Sequence, residues 1–247
     1  MRFWSDSPEQ WQGKKMKVTV LHASAGVAQQ ILVQSAVGTL LFDVGDGALR
    51  DVLSAGVTPL EIDAVFITHG HYDHMGGLHS LMGFMRTLGR TEKLLIAAPG
   101  GCREVELAVD GYLTSYRDTL PYEIELRELE AMESTEVADV VVTAYPVVHC
   151  GSTKAGGILP PIPTMGYRIG YGEEEIAITG DTGDCESVRK LVAGVDLAIV
   201  EATLTGEMAT DEKLLRNVHL SEALANDIGS LAKKHILVHR VARKLVD

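Results

Sequence analysis

The segment 69–74 contains the residues best suited to chemistry, with three histidines and one aspartate within six positions. In an extended chain His69 and His71 point to the same side, so that two imidazoles can bind one metal ion. Asp73 and His74 follow after the chain has begun to turn, and we expect them to face a neighbouring position. Because burying so many polar groups together is costly without a metal, we predict a metal site rather than a polar surface loop.

Single polar residues also end three other predicted strands. They are His149, Asp181 and His239, which follow the apolar runs 140–148, 176–179 and 236–238. Each is weak evidence alone, because a lone histidine after a strand is more often structural. Taken with the segment 69–74, they supply the three ligands that a pair of metal ions still lacks. The sequence therefore predicts a two-metal site assembled from several strand ends.

Alternating strand and helix patterns must position these residues. Short β-branched runs predict strands at 16–21, 39–42, 64–67, 94–97, 140–143, 176–179, 197–200 and 236–238. Helical periodicity appears at 47–55, 76–88, 101–112, 185–193 and 221–234. In a chain of 247 residues this alternation predicts a mixed α/β fold with one large core.

The last predicted helix, 221–234, has one apolar face that includes Leu231. Ser221 is placed to cap the start of this helix. Lys233 and Lys234 suit its C-terminal end, where the helix dipole favours positive charge.

Three segments show no regular period. The Gly/Pro-rich region 151–165 is predicted as a loop, and residues 173–175 as the solvated tip of a hairpin. Residues 1–15 are polar and are predicted as an N-terminal extension of unknown role. An arm, a docking strand and a plain extension all fit this segment.

The charge balance, 22 basic against 34 acidic residues for a net charge of −12, argues against a generic nucleic-acid surface. It leaves room for a local basic path. The start of the chain lacks the pattern of a signal peptide, and no apolar run approaches the length of a membrane span. We therefore expect a soluble, reduced, cytoplasmic protein.

The cysteines and the remaining histidines add no further site. The three cysteines are widely spaced and include no CxxC pair, which indicates neither a disulfide framework nor a thiolate zinc knuckle. Cys150 adjoins His149 and is predicted to be buried packing. His22, His79 and His235 match no part of the predicted metal site and are predicted to be structural.

The metal-site pattern resembles the metallo-β-lactamase superfamily, over nearly the whole chain. This resemblance implies a four-layer αβ/βα sandwich with the metals at the strand-end rim, and a hydrolase domain at 16–247. It also implies two metal sites that share a bridging carboxylate. The first site corresponds to His69, His71 and His149, the second to Asp73, His74 and His239, and the bridge to Asp181.

Within this superfamily the chain is most similar to the branch of ribonuclease Z and related phosphodiesterases. The supporting stretches are 41–47, 88–94, 98–100, 180–182, 201–203, 219–221 and 238–240. His219, just before a predicted helix, resembles the extra histidine with which that branch supports the scissile phosphate. An ordinary histidine at a helix start is the alternative. Glu201 either orients His219 or is a plain structural acid.

The resemblance implies a dinuclear metal-dependent hydrolase. Imidazole and carboxylate ligands favour two zinc ions, and manganese or iron would tolerate the same set. The two ions would share a hydroxide that attacks a phosphorus or carbonyl centre. Asp73 would take a proton from the nucleophilic water, and His219 would stabilise the developing charge or protonate the leaving oxygen.

The substrate stays open among several classes. Ribonuclease Z proper usually carries a long Gly/Pro-rich arm that grips tRNA, whereas the segment 151–165 is short, so we expect a smaller phosphodiester. The alternatives are a carbonyl hydrolase of the lactonase, thioesterase or β-lactamase type, and a tRNA 3′-processing endonuclease proper. A non-catalytic metal-binding or sensor protein is a further class, against which the full ligand set argues. Formation of a homodimer stays open.

Overall fold

The computed structural model describes residues 8–153 and 157–241. Residues 1–7 of the predicted extension, 154–156 of the predicted loop and 242–247 of the predicted domain lie outside the described residues. The described chain forms a seven-stranded sheet, a six-stranded sheet and a two-stranded hairpin. Within the described ranges, no helix is both long and apolar enough to cross a membrane.

The first sheet contains seven strands in chain order. They are β1 (Glu9–Gln12), β2 (Met16–Ser24), β3 (Ala28–Ser35), β4 (Thr39–Phe42), β5 (Ala64–Phe66), β6 (Leu94–Pro99) and β7 (Ile124–Leu129). The first four strands pair antiparallel, and β4 to β7 pair parallel. The helices of this half are α1 (Ala48–Ser54), α2 (Tyr72–Met75), α3 (Leu78–Thr87) and α4 (Arg103–Tyr116), with a 3₁₀ turn at Pro59–Glu61.

The second sheet is built by the C-terminal half of the chain. Its strands are β8 (Ser134–Val137), β9 (Val140–Pro146), β12 (Met165–Tyr171), β13 (Glu174–Ile178), β14 (Leu197–Glu201) and β15 (His235–Val238), in the spatial order β15-β14-β13-β12-β9-β8. The separate hairpin consists of β10 (Cys150–Ser152) and β11 (Ile158–Pro161). The helices are α5 (Glu186–Val192), α6 (Glu212–Asn217) and α7 (Glu222–Gly229), with a 3₁₀ segment at Gly206–Thr210.

Alternation along the strands divides the core into layers. In β3, Ile31 and Val33 lie in the cluster between the two sheets, while Leu32 packs towards the helices of the first half. Helices α5 and α7 cover the outer face of the second sheet in the same way. The order of layers is therefore helix, sheet, sheet, helix, which confirms the predicted four-layer sandwich.

Of two predicted irregular segments, one is wrong and the other is correct only in part. The region 151–165 was expected to be a loop, but it contributes to the paired strands β10 and β11. The hairpin predicted at 173–175 is present, with Tyr171 paired to Glu174, but the side chain of Glu174 is buried and not solvated. Its carboxylate accepts backbone N–H groups of Lys14, Lys15 and Met16 from the opposite sheet, and these three donors account for burying the charge.

The predicted end of the last helix is also wrong. Helix α7 ends at Gly229, so that Leu231, Lys233 and Lys234 lie beyond it. A Cβ at Gly229 would lie 2.6 Å from Cγ of His235. Only glycine, which has no Cβ, lets the His235 ring pack this closely against the end of the helix. The predicted cap is confirmed, because the Ser221 hydroxyl accepts from the N–H of Leu224 at 3.3 Å.

A cluster of three aromatic rings links the two sheets beneath the segment 69–74. Phe42 and Phe66 stack with their ring centroids 5.2 Å apart, and Tyr167 of the second sheet packs against both. The Tyr167 hydroxyl donates to the Ile67 carbonyl at 2.6 Å. This buried hydrogen bond fixes the second sheet against the strand end that leads into His69.

We predict that Tyr167→Phe lowers the free energy of unfolding by about 1–3 kcal/mol, because it removes a buried hydrogen bond and leaves the Ile67 carbonyl without the Tyr167 donor. Urea unfolding measures the change. Tyr171→Phe, at the half-buried end of the same strand, is the matched control and should cost less. Equal stability losses in the two variants would contradict the role given to the Tyr167 hydroxyl.

Candidate metal centre

The candidate site lies where parallel strands of both sheets end. Asp43 follows β4, the segment 68–74 begins just after β5, and Asp181 lies shortly after β13. Glu201 ends β14 and His239 follows β15. Because the carboxyl ends of parallel strands meet at one edge of a sheet, both sheets deliver polar groups to the same rim.

The first group of donors contains His69, His71, His149 and Asp181, whose facing atoms lie within 4.8 Å of one another. Nδ1 of His71 lies 3.0 Å from Nε2 of His69 and 3.3 Å from Nε2 of His149. Oδ2 of Asp181 lies 3.8 Å from Nε2 of His69 and 3.9 Å from Nε2 of His149. Three imidazole nitrogens and one carboxylate oxygen therefore surround one point.

The second group contains Asp73, His74 and His239, all of them buried. Nε2 of His239 lies 3.3 Å from Nε2 of His74 and 3.2 Å from Oδ2 of Asp73. The same Oδ2 of Asp181 that faces the first group lies 3.4 Å from Nε2 of His74. One carboxylate oxygen thus faces both groups. The structure brings together all seven residues that the sequence analysis selected as ligands.

Hydrogen bonds to the remaining ring nitrogens fix the direction of two imidazoles. Nδ1 of His149 donates to the carbonyl of Val218 at 2.7 Å, which turns its Nε2 towards the first group. Nδ1 of His239 lies 2.9 Å from Oγ1 of Thr203, which turns its Nε2 towards the second group. Such partners hold metal-binding histidines in the required tautomer and orientation.

Asp43 and Thr68 are site residues that the sequence analysis missed. Oδ2 of Asp43 lies 2.8 Å from Nδ1 of His74, and it also accepts from Nε2 of Gln29 at 3.1 Å. Oδ1 of Asp43 accepts the backbone N–H of Thr68 at 2.8 Å. The signal was present, because Asp43 directly follows a predicted strand, as the selected ligands do.

Burial and facing charges set the protonation of the group without metal. Burial holds the pKa of His69 well below its ordinary value and lowers the pKa of His149 to about 4. Burial also acts to lower the pKa of His74, but Asp181 and Asp43 outweigh it and hold the pKa well above the ordinary value. Burial acts to raise the pKa of Asp181, but the facing imidazoles keep it well below the usual range.

The donor set fits a pair of divalent cations. Oδ1 of Asp181 is buried and forms no hydrogen bond within the described residues, although Nδ1 of His239 lies 3.2 Å away. The facing nitrogens of the histidines point at one another at hydrogen-bond distance, and neutral rings offer lone pairs there. Cations placed among these atoms would satisfy the donors together, at the cost of releasing the proton on His74.

His219 and Glu201 form a pair beside the bridging carboxylate. Nδ1 of His219 donates to Oε1 of Glu201 at 3.1 Å and lies 3.8 Å from Oδ2 of Asp181. The same Glu201 oxygen accepts the backbone N–H of Leu220 at 2.9 Å. Burial acts to lower the pKa of His219, but Glu201 and Asp181 raise it to about 9. His219 also belongs to a third group of possible metal donors, with Asp181 and His239, whose donor atoms lie within 4.8 Å of one another.

The other selected residues lie elsewhere. His79 is exposed and packs against Tyr112 with ring centroids 5.3 Å apart. His235 contacts Oδ1 of Asn226 through Nε2 at 3.0 Å. Cys150 is buried in a small cluster below the β10–β11 hairpin, as predicted.

Two site residues adopt the left-handed backbone conformation, which is rare for residues other than glycine. The φ angles are 58° at Asp43 and 53° at His239. Gly180, with a φ of 60°, precedes Asp181 in the same region, and a Cβ there would lie 2.8 Å from Cβ of Thr68. Such conformations persist only where surrounding contacts enforce them.

Comparison with known proteins places this geometry in a family. The model described as "Beta-lactamase superfamily domain" matches residues 40–239. Ribonuclease Z from Methanothermobacter thermautotrophicus is 30% identical over 275 residues, covering 92% of this chain and 87% of that protein. The short form of human tRNase Z superposes with a TM-score of 0.75 at 22% identity, over 92% and 93% of the two chains. A diphosphatase of the PhnP family gives 0.69 at 19% identity, over 92% and 87%.

Fold and site together define the class of metal-dependent hydrolases. The chain belongs to the metallo-β-lactamase superfamily. The expected similarity to ribonuclease Z is confirmed as well.

We predict that Asp43→Asn weakens zinc binding by about 10- to 100-fold. The amide would place an NH₂ group against the N–H groups from which the Asp43 carboxylate accepts hydrogen bonds. Competition with a chromogenic chelator measures the affinity. Asp46→Asn, an exposed aspartate three positions along the chain, is the matched control and should leave the affinity unchanged. Unaltered zinc binding in Asp43→Asn would contradict the orienting contact to His74.

Proposed function

We propose that this chain is a phosphodiesterase that cleaves small phosphodiesters with two divalent cations. The observation that carries the proposal is the His219–Glu201 pair, whose imidazole lies 3.8 Å from the carboxylate shared by both donor groups. A carbonyl hydrolase needs the metals but not this extra proton donor. The named relative, ribonuclease Z, supports a phosphodiester as the bond that is cleaved.

The seven converging residues would hold the cations, three imidazoles in one group and Asp73, His74 and His239 in the other. Asp181 would bridge them. Bound cations supply an activated water as nucleophile and polarise the oxygen of the group under attack. Imidazole and carboxylate donors without thiolate favour zinc, and manganese or iron would accept the same set.

The chain's own side chains move the protons in this proposal. The Asp73 carboxylate takes a proton from the attacking water. Nδ1 of His219 donates to Glu201, which raises the pKa of His219, so this imidazole is suited to carry the proton that the leaving oxygen takes. Its partial exposure, 17%, leaves this imidazole open to a substrate in a way that the buried ligands are not.

A small substrate is favoured over tRNA by two features of the chain. The net charge of −12 gives no general attraction for a long polyanion. The segment between His149 and Thr164 is short, and its described part forms the β10–β11 hairpin close to the site rather than an extended arm. We therefore propose a nucleotide-like or cyclic phosphodiester.

A substrate panel tests the function directly. The purified chain should contain close to two equivalents of zinc or a similar ion by elemental analysis. It should hydrolyse bis(p-nitrophenyl) phosphate faster than a lactone or a cephalosporin. Faster lactone or cephalosporin cleavage would make the chain a carbonyl hydrolase, and efficient cleavage of a tRNA precursor would overturn the small substrate. If none of these substrates is cleaved in a metal-dependent way, the proposal is overturned.

We predict that His219→Ala lowers kcat by about 10²- to 10⁴-fold for a phosphodiester with a poor leaving group, such as a dinucleotide, because the leaving alkoxide needs the proton of a general acid. Bis(p-nitrophenyl) phosphate, whose leaving group is stable as the anion, should be affected much less. Metal content should stay at the wild-type level, because His219 is not among the proposed ligands. His79→Ala, an exposed histidine outside the site, is the control and should match the wild type. Loss of metal from His219→Ala would instead make this residue a ligand.

A further inference from the structure

The turn between β2 and β3, Ser24–Val27, lies against the second donor group. The N–H of Val27 donates to the Ser24 carbonyl at 3.0 Å, which closes a four-residue turn. Gly26 occupies the position that needs a positive φ, at 68°. The mechanism above gives this turn no role.

This turn contacts two members of the second group or their immediate neighbours. The Gly26 N–H donates to Oδ2 of Asp73 at 2.8 Å, the same oxygen that lies 3.2 Å from Nε2 of His239. The Ala25 N–H donates to the carbonyl of Arg240 at 3.2 Å, directly after His239. One turn therefore fixes a side chain of helix α2 and the backbone that follows strand β15.

The contact at Arg240 bears on a strained residue. His239 has a φ of 53°, which is unfavourable for a residue with a side chain and must be enforced from outside. The Thr203 hydroxyl, 2.9 Å from the His239 carbonyl, restrains one side. The Ala25–Arg240 hydrogen bond and the bridge between Ser24 and Arg240 restrain the other.

Tyr72 holds the turn in place. Its hydroxyl donates to the carbonyl of Gly26, while Asp73, the next residue, accepts the N–H of the same glycine. The Tyr72 side chain is 63% exposed, so burial of the ring does not explain its position. The carbonyl and the N–H of Gly26 are therefore both held by hydrogen bonds to the consecutive residues Tyr72 and Asp73.

We propose that the turn Ser24–Val27, held by the Tyr72 hydroxyl, positions Asp73 and His239 for the second cation, with Tyr72 as a positioning residue. The first donor group has no contact with the turn among the described hydrogen bonds. The two groups should therefore respond differently when the turn is loosened. This inference rests on the proposed metal centre, and it assigns the turn to one half of that centre.

The test is a stepwise zinc titration of the full chain after removal of metal by a chelator. Tyr72→Phe should weaken one of the two stepwise affinities by about two- to tenfold, the range spanned by one net hydrogen bond, and leave the other unchanged. Gly26→Ala, which puts a Cβ at a positive φ, should weaken the same affinity by about tenfold. Tyr116→Phe, on helix α4 away from the turn, is the control and should preserve both.

Activity supplies a second reading that separates positioning from general damage. At saturating zinc, Tyr72→Phe should keep the wild-type melting temperature and the wild-type KM for bis(p-nitrophenyl) phosphate, and its loss of activity should fall on kcat, because Asp73 also takes the proton from the attacking water. Two unchanged affinities, two equally weakened affinities, or a lowered melting temperature would each overturn the inference. If the wild type cleaves no phosphodiester, the proposed function fails, while the zinc titration still decides the role of the turn.

Discussion

The site depends on the burial of four imidazoles around one carboxylate. His69, His74, His149 and His239 are nearly inaccessible, and Asp181 lies among them with an Oδ1 that forms no hydrogen bond to the part of the chain that the structure describes. Taking such groups out of water costs free energy unless each finds a partner. The second ring nitrogens of His74, His149 and His239 find protein partners, and the facing nitrogens point inwards. A pair of divalent cations is the partner that this inward set of lone pairs and charges suits.

The site is divided between two sheets, so that the register of the sandwich decides its geometry. The segment 69–74 comes from the first sheet, whereas His149, Asp181 and His239 come from the second. The Tyr167 hydroxyl on the Ile67 carbonyl and the Met165 N–H on the Thr68 carbonyl fasten the halves together just below the rim. Packing of the core therefore controls distances among ligands that are remote in sequence.

Local strain is placed where the two halves meet. Asp43 and His239 hold left-handed backbone angles, and each is restrained by several hydrogen bonds from neighbouring elements. The turn at Gly26 belongs to the same arrangement, because it ties the Asp73 carboxylate to the chain beyond His239. The left-handed conformation at these positions turns the side chains of Asp43 and His239 towards the site, a direction that a regular strand end would not give them.

The sequence alone determined the ligand candidates and the mixed α/β class, because imidazoles and carboxylates after apolar runs are a local signal and strand periodicity is local too. The layer order followed from the resemblance to the superfamily and not from periodicity. It missed Asp43 and Thr68, whose roles depend on which side chain each meets across the rim. It misjudged Glu174, because three backbone donors from another sheet make burial of its charge tolerable. Only the tertiary structure decided that Gly26 donates a hydrogen bond to Asp73 and that His219 donates one to Glu201. Both contacts join segments that are distant in sequence and are brought together by packing.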